Sequence, residues 1–165
     1  MVRKKGNLRR HVEFFGNDKI IIPEIYDGFR RLGFSILESV IAAPIIGVST
    51  AQQTGACPFS FAIRTKNIDN AMHPQFHLGG FEKRLKLGKK DRYTIADIFI
   101  KIANNSKNPS PFSVITSISE WSALFLLMNR VNGGLFITKR QIKSLYNGDL
   151  FYDIANKRKH KALRD

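Results

Sequence analysis

Two helix-forming segments separated by an unusually short loop constrain this chain more than any other feature. Leu8, Val12 and Phe15 recur at spacings of four and three, which predicts a short helix over residues 8–15. Ile25, Phe29, Leu32, Ile36 and Val40 form a longer stripe, which predicts a helix over 24–43. Nine residues, Gly16 to Glu24, separate Phe15 from Ile25. A calcium-binding helix–loop–helix uses a loop of about twelve, with oxygen ligands at alternate early positions, glycine at the sixth and glutamate at the twelfth. Here Asn17, Asp18 and Glu24 alone carry ligand-type oxygens. The flanks of such a loop are present and its ligand ladder is not, so tight calcium binding is not expected. The histidine beside it, His11, belongs to a class of ligand that suits other metals.

Further along, Ile20–Ile22 is a β-prone run ending at Pro23, at the place where EF-hand loops pair through a brief strand. Residues 32–48 are strongly apolar, but this run of 17 contains Glu38 and Pro44. A spanning helix needs about 20 apolar residues with few charges. The run therefore reads as a buried or monotopic helix ending near Pro44. Residues 49–55 read as a polar loop, and 74–92, with Pro74, Gly79, Gly80 and Gly88, as irregular. Thr94 with Asp97 three residues on predicts a capped helix to Ala103. Residues 112–128 predict an apolar helix, buried all round except near Ser117–Glu120. A Gly-containing turn and a β-prone run to Ile137 follow, which reads as a second eroded EF-hand. Short helices over 138–147 and 150–159 close the chain. The fold class expected is mainly α: an EF-hand-derived helical domain with very short strand pairings, one domain over 1–165 with basic tails at 1–7 and 157–165.

The net charge of +14 is unevenly placed. Residues 1–10 hold five Lys/Arg, 83–92 hold six and 156–165 hold five, against only Asp91 and Asp165. The rest of the chain balances. Basic tails and a basic loop on a neutral body suit an anionic lipid surface or a solvated periphery. No aromatic residues interleave the basic ones as a base-stacking surface requires, so nucleic acid is the least supported partner. Cys57 stands alone, which excludes an internal disulfide and favours an intracellular setting. The basic start has no apolar run behind it and is not the pattern of a secretory signal.

Four blocks in order resemble the caleosin family of plants and fungi: His11–Phe15 with Glu24–Arg30; Pro58–His73, which contains Lys66-Asn67-Ile68; Glu120-Trp121 in an apolar helix; and Asn147-Gly148-Asp149-Leu150-Phe151. The resemblance implies a haem peroxygenase with His11 and His73 at the haem. It would use a hydroperoxide or hydrogen peroxide to transfer oxygen to a lipophilic small molecule. It also implies association with lipid droplets or the endoplasmic-reticulum surface, although the apolar segment here is shorter and more punctuated than in plant members.

Among individual residues, one of His11 and His73 would be the axial ligand of haem b and the other an acid/base group. Arg64 and Lys66 could neutralise its propionates through charge-assisted hydrogen bonds, or simply be exposed. A lone histidine such as His11 is, without the resemblance, more often a surface residue. His73 precedes Pro74, which turns it away from helical geometry. His77 could form a metal pair with it only on a continuous helix, which Pro74 opposes. Cys57 beside Pro58 is a rival ligand, although a buried structural thiol is the plainer reading. Trp121, Phe112, Phe125 and Phe151 could wall a pocket or simply be core. His160 falls in the basic tail and reads as solvated. The competing function is a non-catalytic lipid-droplet or membrane-surface protein.

Overall fold

The computed structural model describes residues 7–54, 62–70, 87–105 and 111–163. The fold is mainly α, with two short antiparallel strand pairs. The chain divides into two compact units, residues 1–72 with 145–165, and residues 73–144.

The first unit begins with α1 (Asn7–Glu13), β1 (Lys19–Ile21) and α2 (Ile22–Leu32). It continues through α3 (Ile36–Gln53), β2 (Ala62–Arg64) and a 3-10 helix (Thr65–Asn70). β1 pairs with β2 in the register Lys19↔Arg64, Ile20↔Ile63, Ile21↔Ala62. Ile20 and Ile63 are buried at the centre of the pair. α7 (Leu150–Ala162) returns to pack on α2.

The expected single helix over 24–43 is in fact two. Gly33 adopts φ 94° and closes α2, where its N–H bonds back to Arg30 and Phe29. A side chain there would be strained by the left-handed backbone and would overlap the Arg158 guanidinium from α7. Ser35 then restarts the helix. Its hydroxyl accepts from the Glu38 N–H at 3.3 Å, and Glu38 accepts from the Ser35 N–H at 2.7 Å. Pro44 does not end α3, which runs on to Gln53. The carbonyl that Pro44 leaves without a partner belongs to Val40, on the same exposed face, where water can satisfy it.

The second unit holds β3 (Arg92–Thr94), α4 (Ile95–Asn105), α5 (Pro111–Asn132), β4 (Phe136–Thr138) and the start of α6 (Lys139–Tyr146). β3 pairs with β4 as Arg92↔Thr138, Tyr93↔Ile137, Thr94↔Phe136. Thr94 and Asp97 form the expected box, with N–H to carboxylate at 2.9 Å and the return bond at 3.2 Å. Thr138 and Gln141 repeat it at 2.9 and 3.1 Å. Within the stretch expected to be exposed, Ser117–Glu120, Ile118 is exposed but Glu120 Oε2 is buried, and Leu126, expected to be buried, is exposed.

Candidate functional site

α1 is only seven residues long, too short to be stable alone, so contacts to its neighbours hold it. Arg9 Nε meets Glu13 Oε1 at 2.9 Å along the helix, and Arg10 meets Asp149 at 2.7 Å, at the start of α7. These contacts present His11 to α7, where its ring lies 4.4 Å from that of Phe151.

The surroundings of His11 are aromatic. Phe151 contacts Phe14 at 5.5 Å and Phe15 at 5.7 Å, Phe15 contacts Phe29 at 5.6 Å, and Phe29 contacts Phe34 at 5.0 Å. Most of these pairs are edge-on or tilted, as ring quadrupoles favour. Arg31 caps the cluster, with its guanidinium 4.5 Å over Phe14 and a hydrogen bond to the Phe14 carbonyl. Gly28 lets Phe15 lie against α2, since a Cβ there would overlap its ring. Removal from water pushes the His11 pKa down to about 4. The imidazole is therefore neutral near pH 7 and keeps a ring lone pair. Among the described residues, nothing hydrogen-bonds to its ring nitrogens.

The 3-10 helix Thr65–Asn70 packs against α1. Arg64, which ends β2, and Lys66, in the first turn of the 3-10 helix, are exposed. His73, the expected partner of His11, lies outside the described residues, as do His77 and Cys57. Of the expected pocket wall, Phe151 stands at His11. Trp121 and Phe125 pack together in the second unit, at 6.2 Å, and the side chain of Phe112 is not described. His160 is exposed, as expected. The roles of Phe14, Phe15, Phe29 and Phe34 do not follow from the sequence reading; the Phe14-Phe15 pair beside His11 is the signal that could have found them.

Two oxygens of the short loop are taken up by bonds within the chain. Glu24 Oε2 accepts from the Ile21 N–H at 2.8 Å, and the Asp18 carbonyl accepts from the N–H and hydroxyl of Thr65 at 3.0 and 3.1 Å. Asp18 itself sits at φ 55°. No three His, Cys, Asp or Glu side chains converge on a metal-sized site among the described residues. A neutral, desolvated imidazole backed by aromatic rings, with no hydrogen-bond partner among the described residues, is a donor suited to haem iron; this part of the site fits that group.

With this geometry in place, the comparisons define the class. The family model "Caleosin related protein" matches residues 3–155. The chain belongs to the caleosin family. It is 27% identical to "Probable peroxygenase 4" of Arabidopsis thaliana, over 95% of this chain and 89% of that protein. It is likewise 27% identical to "Peroxygenase" of Lilium longiflorum, over 87% of this chain and 67% of that protein. No solved structure matches.

Proposed function

We propose that this protein is a haem-dependent peroxygenase acting on a lipophilic small molecule, with a hydroperoxide or hydrogen peroxide as oxygen donor. The observation that carries this reading is His11: neutral, desolvated and set against Phe151 in a family whose named relatives are peroxygenases. Bound haem b would supply the cleavage of the peroxide and the transfer of its oxygen. The chain's own part is to hold and to shield. His11 offers a ring nitrogen as the iron ligand, with His73 as the second histidine of the site. Arg64 and Lys66 offer cationic groups to the propionates. The rings of Phe14, Phe15, Phe29 and Phe151 exclude water beside the ligand and favour an apolar substrate. The direct test is protein produced with a haem supply. It should show a Soret band and convert a fatty-acid hydroperoxide plus an alkene or sulfide acceptor to oxygenated product. Protein that takes up no haem and turns over no acceptor defeats the reading.

A second feature favours contact with a membrane or lipid-droplet surface. Ile36, Leu37, Val40, Ile41, Pro44 and Ile45 are all exposed, with Ile36 at 63% and Leu37 at 69%. Their spacing puts them on one ridge of α3. Arg158 reaches the α2–α3 turn, and α7 carries Lys157, Lys159 and Lys161 beside it. An apolar ridge with a cationic flank suits a helix lying in an anionic interface. No described helix is long and apolar enough to cross a membrane. Peripheral attachment to a lipid droplet or the cytoplasmic face of the endoplasmic reticulum is the location this supports. It also sustains the alternative of a non-catalytic coat protein, which the haem experiment separates.

A further inference from the structure

The loops before α4 and α6 are built alike. Each ends in a three-residue strand with a buried central residue, Tyr93 or Ile137, and the two strands pair. In each, the residue three places after the strand, Asp97 or Gln141, accepts from the N–H that opens the helix. A cation-binding helix–loop–helix places its last ligand at this point, position twelve. It draws the others from positions such as three, five and seven, the seventh through a backbone carbonyl. Counting back from Asp97 puts Lys90 at position five and Gly88 at three. Counting back from Gln141 puts Phe136 at position seven and Asn132 at three.

In each loop a side-chain nitrogen donor stands at one of these positions, Lys90 at five and Asn132 at three. Lys90 Nζ lies 2.9 Å from Asp97 Oδ1, and Lys139 Nζ lies 3.1 Å from the Gly88 carbonyl. In the other loop Asn132 Nδ2 donates to the Phe136 carbonyl at 2.9 Å and to Gln141 Oε1 at 3.1 Å. Gln141 Nε2 returns a bond to Asn132 Oδ1 at 2.8 Å. The Phe136 carbonyl can only accept, which fixes the orientation of the Asn132 amide. The oxygens that would face a metal ion face nitrogen-bound protons instead. The glycine usual at position six is replaced by Asp91 in one loop and Leu135 in the other.

We propose that loops 88–97 and 132–141 are a cation-binding pair whose cations have been replaced from within the chain, by the Lys90 ammonium and the Asn132 amide. This unit is then set without a metal ion, and it holds a latent site for a hard, oxygen-seeking cation. Replacing the donors with acids exposes that site. In the double variant Asn132→Asp/Gln141→Glu, two carboxylates and the Phe136 carbonyl face one another with no proton between them. They repel until a cation arrives.

The test is thermal unfolding of the full chain, with calcium, terbium or chelator, together with terbium emission sensitised by Tyr93. Wild-type protein should melt at the same temperature in all three and show no stoichiometric emission. The double variant should melt lower in chelator, recover by about 4 °C or more with terbium, and emit at one ion per chain. If that variant fails to fold, Lys90→Asp read by the same emission assay decides. Stoichiometric wild-type emission abolished by Asp97→Asn overturns the proposal. So does a double variant that is as stable as wild type in chelator and ignores terbium, or a failure of both variants to bind terbium.

Discussion

Replacing Glu120 by glutamine should stabilise this protein at neutral and alkaline pH. Glu120 lies on α5, its Oε2 is buried, and no described group hydrogen-bonds to that oxygen. Burial pushes its pKa up from 4.5 to about 8. Between those values the folded state holds a proton that the unfolded state has released, so stability falls as pH rises through that window. A tenfold change in proton affinity is worth about 1.4 kcal/mol. The cost of Glu120 relative to an uncharged side chain is then below ~1 kcal/mol near pH 5, ~3 kcal/mol near pH 7 and approaches ~5 kcal/mol near pH 9. Glutamine keeps the shape and cannot ionise. Urea unfolding of wild type and Glu120→Gln at these three pH values measures the difference directly. The two should be nearly equal near pH 5 and diverge as pH rises, with the variant the more stable. A variant less stable than wild type at every pH would show that the carboxylate is ionised and paired in the fold, and the reasoning would fail.

Three other predictions rest on separate contacts. The His11 pKa is lowered from 6.5 to about 4, so the unfolded state gains the proton first as pH falls. In haem-free protein, stability should drop by about 3 kcal/mol between pH 6.5 and 4, and His11→Gln should flatten that acid limb in unfolding titrations; an unchanged limb would contradict the desolvation of His11. Gly33→Ala forces a side chain onto a φ of 94° against Arg158 and should cost about 1–3 kcal/mol by chemical denaturation; a neutral result would mean that the α2–α3 turn is set elsewhere. Val40→Glu with Ile41→Glu places two charges on the exposed ridge of α3 and should abolish flotation with anionic liposomes while leaving the melting temperature nearly unchanged; retained flotation would move the contact to the basic tails.

The sequence is most informative where the determinants are local. The Thr94–Asp97 box is readable because both partners sit three residues apart on one turn. The break at Gly33 is hidden because Ile25, Phe29, Leu32, Ile36 and Val40 keep a helical period straight across it. Its signals are Gly33 and the Ser35–Glu38 pair, and the Arg158 contact that accompanies them is distant in sequence. β2 and β3 escape a sequence reading since strands of three residues show no alternation and exist through their partners. Pro44 reads as a stop under the rule for helix interiors, which does not register the exposure of the carbonyl it leaves. Periodicity makes Glu120 an exposed spot on an apolar helix; its burial is a tertiary fact that periodicity does not carry. At the site, His11 and the neighbouring phenylalanines are visible as a cluster of types. The approach of Phe151, far along the chain, is not foreseeable from spacing.

The central claim is that His11 holds haem iron, and the ferrous carbon-monoxide spectrum of haem-supplied protein tests it most directly. Wild type and Cys57→Ala should both give the Soret position of an imidazole-ligated haem. His11→Ala should lose haem or its characteristic spectrum while keeping its far-ultraviolet circular dichroism. A thiolate-type Soret band that disappears in Cys57→Ala and persists in His11→Ala would contradict the account and assign the iron to sulfur.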